Sequence, residues 1–128
     1  MSDTDNSGII ASMKTAEVDQ RFVGIWSGTD DGKFFKGETN SWMVNRRSDG
    51  TMTVNFKTIH TDDRVTFSED EGIWCVLGED YYEFRESDEK PDHYTYLFMS
   101  KDSIHFIINE ELKEEEPYNF IDNRIYLD

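Results

Sequence analysis

The residues of this sequence best suited to chemistry are an arginine and several aromatic side chains at alternating positions. Trp42, Val44 and Arg46 occupy every second position, so in a β-strand their side chains point to the same face. An arginine on an inward face must find an anion or hydrogen-bond acceptors, because an unpaired buried charge is very costly. We expect Arg46 either to pair with an inward acid, such as Glu83 or Glu86, or to orient the polar end of a bound ligand.

The ligand hypothesis depends on a larger set of residues placed at inward positions of the predicted strands. Tyrosine hydroxyls can assist the arginine in orienting a ligand, while aromatic rings supply the apolar walls of a binding cavity. The same residues can also pack into a solid core, and both interpretations stay open at this level. The predicted lining comprises Trp42, Arg46, Phe56, Trp74, Tyr82, Phe84, Tyr94, Tyr96 and Phe106.

Other reactive groups do not form a recognisable catalytic or metal-binding pattern. The single cysteine, Cys75, lies in an apolar run, where burial raises the pKa of a thiol and lowers its reactivity. The three histidines, His60, His93 and His105, show no spacing that places two of them side by side on one face of a strand. We therefore predict no catalytic residue, no metal site and no cofactor.

The elements that must position these side chains are β-strands joined by tight turns. Large residues alternate with polar ones from Thr51 to Lys57, which is typical of a half-buried strand. Turn-forming residues separate this strand from the one before it at 48–50, and similar turns are predicted at 78–80 and 100–103. With further apolar runs at 22–29, 65–67, 74–77 and 120–127, the chain contains eight or nine predicted strands.

This strand pattern predicts an all-β fold, an antiparallel meander of eight or nine strands closed into a barrel. A twisted sheet of that size with one aromatic face tends to close on itself, and sequential hairpins favour closure over a sandwich. An eight-stranded barrel has an interior just wide enough for packed side chains or one small ligand. We assign residues 1–14 to a flexible N-terminal tail and residues 15–128 to a single β-barrel domain.

The first strand carries a sequence signature of a known family. The run from Phe22 through Gly24 to Trp26 resembles the F-x-G-x-W motif of lipocalins and the wider calycin barrels. Arg124 occupies the last strand, where that family keeps a basic residue packed over the tryptophan. The resemblance implies a lipocalin-like barrel in which Gly24 permits close packing, Trp26 plugs one end and Arg124 covers it. The resemblance is strongest to small bacterial lipocalin-like proteins of unassigned function. The T-D-Y motif of secreted lipocalins is missing from this sequence.

Composition limits the classes of partner. The chain has a formal net charge of −15 and a pI near 4.4, so its field repels phosphate groups, and neither nucleic acid nor an anionic membrane is an expected partner. A single cysteine offers no disulfide framework, and no apolar run is long enough to span a bilayer. We expect a cytoplasmic protein.

Three functions remain as hypotheses. The first is the binding of a small hydrophobic or amphipathic ligand inside the barrel. The second is a protein-interaction or homodimeric module without such a ligand, using its acidic surface or outward apolar residues such as Ile73, Leu97 and Met99. The third is an isomerase-type or cyclase-type enzyme that uses the mouth of the barrel.

Overall fold

Eight antiparallel strands form one closed barrel in the computed structural model, which describes residues 2–30, 37–109 and 117–127. Each strand pairs with its neighbours in sequence, and β8 pairs with β1 to close the sheet. The predicted all-β barrel is confirmed. The strands are β1 Gly24–Asp30, β2 Thr39–Arg46, β3 Thr51–Ile59, β4 Val65–Leu77, β5 Asp80–Arg85, β6 Asp92–Ser100, β7 Ser103–Ile108 and β8 Asn119–Ile125.

One long strand, β4, accounts for the difference between eight strands and nine. The apolar runs 65–67 and 74–77 were expected to form separate strands, but both belong to β4. Its first part pairs with β3, and its last part, from Gly72 to Leu77, pairs with β5. The residues from Ser68 to Glu71 between the two apolar runs are polar and mostly exposed, so the alternation that marks a half-buried strand is absent there.

The turns explain which face each strand presents to the interior. In the β2–β3 turn, the Asp49 carboxylate accepts a hydrogen bond of 2.9 Å from the backbone N–H of Thr51, as expected for this turn type. The β4–β5 turn contains only Gly78 and Glu79, because Asp80 already pairs with Leu77. The predicted turn was one residue longer, and a one-residue change of register moves every side chain of a strand to the other face.

The N-terminal segment differs from the prediction of a tail without regular structure. Helix α1 spans Ser2–Thr15 and contacts β4. Met13 of this helix is buried, as is the outward-facing Cys75 of β4. The helix is stabilised by this tertiary contact, since its mostly polar sequence has no clear apolar stripe of its own.

No helix within the described ranges is long and apolar enough to cross a lipid bilayer.

A short 3-10 helix at Gln20–Phe22 leads into β1 and closes one end of the barrel. Its Phe22 is fully buried and makes edge-to-face contacts with Tyr96 and Phe98, with ring centroids 5.0 and 5.1 Å apart. The same ring stacks on Tyr81 at 5.6 Å. This end of the barrel, which we call the closed end, is therefore filled by aromatic packing.

Trp26 and Arg124 complete the closed end. The indole of Trp26 is fully buried and donates a 2.8 Å hydrogen bond to the carbonyl oxygen of Phe22. The Arg124 guanidinium lies 4.2 Å from the centre of the Trp26 ring and donates to the carbonyl oxygen of Val23 at 2.7 Å. Gly24 has φ +133°, and a Cβ at this position would lie 2.7 Å from Arg124 Nη1. A side chain at Gly24 would therefore disrupt the contact between arginine and tryptophan.

Candidate functional site

A cavity of about 350 Å³ opens at the other end of the barrel. Its rim includes Asn40, which pairs with Asp30 at the end of β1 farthest from Gly24. Aromatic and aliphatic side chains form much of the wall, and charged groups contribute the rest. The aromatic residues are Trp42, Phe56, Tyr94, Tyr118 and Phe120, and the charged ones are Glu38, Arg46, Glu83, Arg85 and Asp122.

Trp42 is fixed in the cavity wall by three neighbours. Its partner on β1 is Gly28, where a Cβ would lie only 2.5 Å from the indole ring, so a residue without a side chain is needed there. The indole Nε1 donates a 2.8 Å hydrogen bond to Asp122 Oδ1, and Phe120 packs edge-on against the ring at 5.3 Å. The orientation of this wall is therefore set before any ligand enters.

Arg46 forms part of the floor of the cavity, with 1% of its surface exposed. Its Nη2 donates to Asp122 Oδ2 at 3.0 Å, and its Nε donates to the hydroxyl oxygen of Tyr81 at 2.8 Å. Asp122 is fully buried, so this is a completely desolvated ion pair. The expected acid partner was Glu83 or Glu86, but the structure provides Asp122 on β8 instead.

Glu83 is the second buried acid of the floor. Burial raises the pKa of its carboxyl group, and the nearby Arg46 and Arg85 oppose this shift. The Tyr81 hydroxyl is hydrogen-bonded to Glu83, so a continuous chain of polar contacts connects Arg46, Tyr81 and Glu83. Burial also raises the pKa of Tyr81 and of Tyr94, which keeps both hydroxyls protonated at neutral pH.

Arg85 projects from the wall near the mouth and is surrounded by loosely placed acids. Its Nε lies 3.5 Å from Asp88 Oδ2 and 3.8 Å from Glu83 Oε2, and its Nη2 lies 3.6 Å from Asp92 Oδ2. These distances exceed those of good hydrogen bonds. The guanidinium also lies 5.3 Å from the centre of the Phe56 ring. Arg85 is thus neutralised by several carboxylates without being tightly bound to any one.

The acids around Arg85 crowd one another. Burial, together with the negative charges of Asp88 and Glu83, raises the pKa of Asp92 to about 7. Asp92 pairs with Glu83 across β5 and β6, so both carboxyl groups face the same side of the sheet. The mouth therefore carries more negative charge than one arginine balances.

The nine predicted lining residues separate into three groups in the structure. Trp42, Arg46, Phe56 and Tyr94 line the cavity. Trp74, Tyr96 and Phe106 point inward but pack in or against the aromatic core. Tyr96 also donates a 3.0 Å hydrogen bond to the carbonyl oxygen of Gly78. The interior is therefore both packed core and cavity, at different heights along the barrel axis.

Tyr82 and Phe84 form the third group and lie on the outer wall. Tyr82 stacks on the outward-facing His93 at a centroid distance of 4.4 Å. Phe84 lines an outer groove together with Lys14 and Arg47. The predicted phase of β5 is wrong. The β4–β5 turn holds two residues instead of three, so Trp74 pairs with Glu83 and not with Phe84.

Sequence reasoning missed several residues that the cavity uses. A predicted turn of two residues would have placed Glu83 opposite Trp74. Because residues that pair directly across two strands face the same side of the sheet, the inward Trp74 would then have predicted an inward Glu83. The residues on β8 and just before it carry no comparable local signal. The missed residues include Tyr81, Arg85, Tyr118, Phe120 and Asp122, whereas Glu83 was expected to be an inward acid.

The cysteine and the three histidines do not line the cavity, although the His60 ring contacts Glu38 at its wall, with Nδ1 3.2 Å from Oε2. No three histidine, cysteine or acidic side chains are arranged to hold a metal ion among the residues whose placement is described. The rings of His93 and His105 contact Asp80 and Asn119 on the outer wall. Burial raises the pKa of the Cys75 thiol to about 11. The cavity wall itself offers hydrogen-bonding groups, apolar surface and the carboxyl group of Glu83, whose pKa is raised by burial.

Comparisons with known proteins do not assign this chain to a family. A scan against protein-family models found no match, and a search of curated proteins found none either. One matching solved structure is described as the de novo design of a fluorescence-activating β-barrel, with 16% sequence identity and a TM-score of 0.45. The match covers 87% of this chain and 100% of the designed chain. Similarity at this level carries no argument about a ligand.

Proposed function

We propose that this protein is a lipocalin-like barrel that binds a small hydrophobic or amphipathic molecule in the cavity at its open end. The observation that carries the proposal is the cavity of about 350 Å³ with aromatic walls in a barrel whose other end is fully packed. An engineered apolar cavity of about 150 Å³ holds benzene. The space here therefore suits a ligand with roughly two fused rings or a short chain.

The closed end supports the relation to lipocalins within this proposal. Phe22, Gly24 and Trp26 carry the F-x-G-x-W spacing, and Arg124 stacks on the tryptophan as the resemblance implies. A barrel with one sealed end and one open end is the arrangement that a carrier of small molecules requires.

The proposal is tested by titrating the protein with 2-ethylnaphthalene and measuring binding by calorimetry. We expect saturable binding, which Val54→Phe should weaken at least about tenfold, because Val54 is 2% exposed and lines the cavity. The matched control is Asn55→Phe, which adds the same side chain at the next position, on the exposed outer face of β3. No binding by the wild-type protein, or equal losses in both variants, would contradict the proposal.

Exposed apolar side chains on the outer wall favour a second candidate, a homodimer. Leu97, Met99 and Ile121 are 63%, 59% and 38% exposed on β6 and β8, and both of these strands pair with β7. Sedimentation equilibrium tests this candidate directly. A monomer at every concentration would exclude it, while a dimer abolished by Leu97→Lys would support it.

A further inference from the structure

The two cavity arginines retain hydrogen-bond donors without partners. Arg46 Nη1 and Arg85 Nε are buried nitrogen atoms with no hydrogen-bond partner among the described residues. A buried donor without an acceptor costs free energy, and both side chains line the cavity. Each of these two nitrogen atoms therefore has carboxylates nearby but no acceptor in hydrogen-bonding geometry.

The charges around the cavity argue against an anionic ligand as the source of a hydrogen-bond acceptor for the arginines. Glu38, Glu83 and Asp122 line the cavity, and Asp88 and Asp92 lie against Arg85. Five carboxyl groups thus face two arginines, and the whole chain carries a formal charge of −15. An additional negative charge would be repelled by this arrangement. A cationic group would be drawn to the acids but would leave the arginine donors without acceptors.

The two arginines differ in how easily a ligand can reach them. The Arg85 side chain is 20% exposed and is held by contacts of 3.5 Å or longer, whereas Arg46 is 1% exposed and bound to Asp122 and Tyr81. Arg85 also lies beside Phe56, an aromatic part of the wall. A ligand can therefore contact Arg85 and the apolar wall at the same time.

We propose that the ligand is an uncharged aromatic or alicyclic molecule whose acceptor oxygen, such as a ketone or amide carbonyl, accepts hydrogen bonds from Arg85. This inference rests on the proposed function, because it names the class of molecule that the cavity selects. The ring system packs against Phe56, Trp42 and Phe120, and the carbonyl oxygen accepts from the exposed part of the Arg85 guanidinium, which the surrounding carboxylates hold only at 3.5 Å or longer.

The test compares four naphthalenes of similar shape: 2-acetylnaphthalene, 2-ethylnaphthalene, 2-naphthoate and 2-naphthylmethylammonium. We expect the ketone to bind about tenfold more tightly than the ethyl compound, as one hydrogen bond from a charged donor would provide. Both ions should bind more weakly than the ketone. The infrared stretch of the bound ketone should also shift from its frequency in an apolar solvent to a lower, hydrogen-bonded value.

Two variants test whether Arg85 donates the hydrogen bond to the bound ketone. Arg85→Met should remove both the tenfold preference and the infrared shift while binding of 2-ethylnaphthalene persists. Arg47→Met is the matched control, because Arg47 lies outside the cavity and contacts Thr51. If Arg85→Met does not fold, the infrared shift in the wild-type protein still decides whether the carbonyl is hydrogen-bonded.

The failures of the two proposals are distinguishable. Equal binding of the ketone and the ethyl compound, tightest binding of either ion, or an unshifted carbonyl stretch would overturn the uncharged-acceptor inference and leave the cavity as a binding site. Failure of all four compounds, including 2-ethylnaphthalene, would overturn the proposed function and the inference with it.

Discussion

The two ends of the barrel each combine a tryptophan with an arginine, but they use the pair differently. At the closed end, Arg124 stacks on Trp26 and donates to the carbonyl oxygens of Val23 and Arg21 at 2.7 and 2.9 Å. At the open end, Arg46 shares the Asp122 carboxylate with the indole of Trp42 and keeps one nitrogen without a partner.

This difference is consistent with a structural role for the closed end and with the binding role that we propose for the open end. Backbone carbonyls and the Asp102 carboxylate accept the hydrogen bonds of Arg124, and Trp26 is fully buried. At the open end, unsatisfied donors and unfilled volume persist next to crowded carboxylates. Buried groups that lower stability, and volume that no side chain fills, are expected where a protein binds a ligand.

The largest effect should come from removing the packed indole of the closed end. Trp26→Ala should lower the free energy of unfolding by roughly 3 to 5 kcal/mol, because it leaves a large cavity among rigid neighbours. Phe56→Ala is the control at the open end. It should cost less, since Phe56 is only partly buried and already borders empty space. Urea melts of both variants measure the difference. A loss below about 1 kcal/mol for Trp26→Ala would show that the closed end does not dominate stability.

A somewhat smaller effect is expected from breaking the buried ion pair of the open end. Arg46→Met leaves Asp122 charged and without its cation, and should cost roughly 3 kcal/mol, the lower end of the usual range, because Trp42 still donates to the carboxylate.

The double variant of the same pair serves as its control. Arg46→Met combined with Asp122→Leu should recover part of the loss, because no unpaired charge then remains. Additive losses in a double-mutant cycle of urea melts would contradict the assignment of this ion pair.

The smallest effect is a pH dependence that originates at the mouth. The raised pKa of Asp92, about 7, compares with about 3.9 in an unfolded chain. Between these values the folded protein holds a proton that the unfolded chain has released, so this group lowers stability progressively as pH rises from about 4 to 7. Asp92→Asn should remove that contribution and stabilise the protein at pH 8 by about 1 kcal/mol, the size expected for a partly solvated charge.

Parallel urea melts of the wild-type protein and Asp92→Asn at pH 5 and pH 8 test this expectation. The gain from the substitution should be larger at pH 8 than at pH 5. An equal difference at the two pH values would indicate that Asp92 has an ordinary pKa and that the mouth is not crowded with charge.

The alternation of residue types predicted the inward face of some strands and not of others. The alternation in β2 and β3 predicted that Trp42, Arg46 and Phe56 face inward, and all three line the cavity. The same reasoning failed in β5. There, aromatic residues occupy both phases, and the phase depends on whether the preceding turn holds two residues or three.

The acid that pairs with Arg46 could not be identified from sequence. Asp122 lies 76 positions from Arg46, and it contacts the arginine across the barrel interior rather than along the sheet. Glu83 was a reasonable candidate and does lie near the guanidinium. The stagger of the closed barrel, however, places Asp122 at hydrogen-bonding distance.

The sequence by itself determined the alternation in β2 and β3, the approximate places of the turns and the aromatic run that leads from Phe22 into β1, because these depend on neighbours a few residues apart. The tertiary structure decided that α1 contacts β4, which acid holds Arg46 and where empty space remains. Each of these depends on which strands meet when the sheet closes, and closure is a property of all eight strands together.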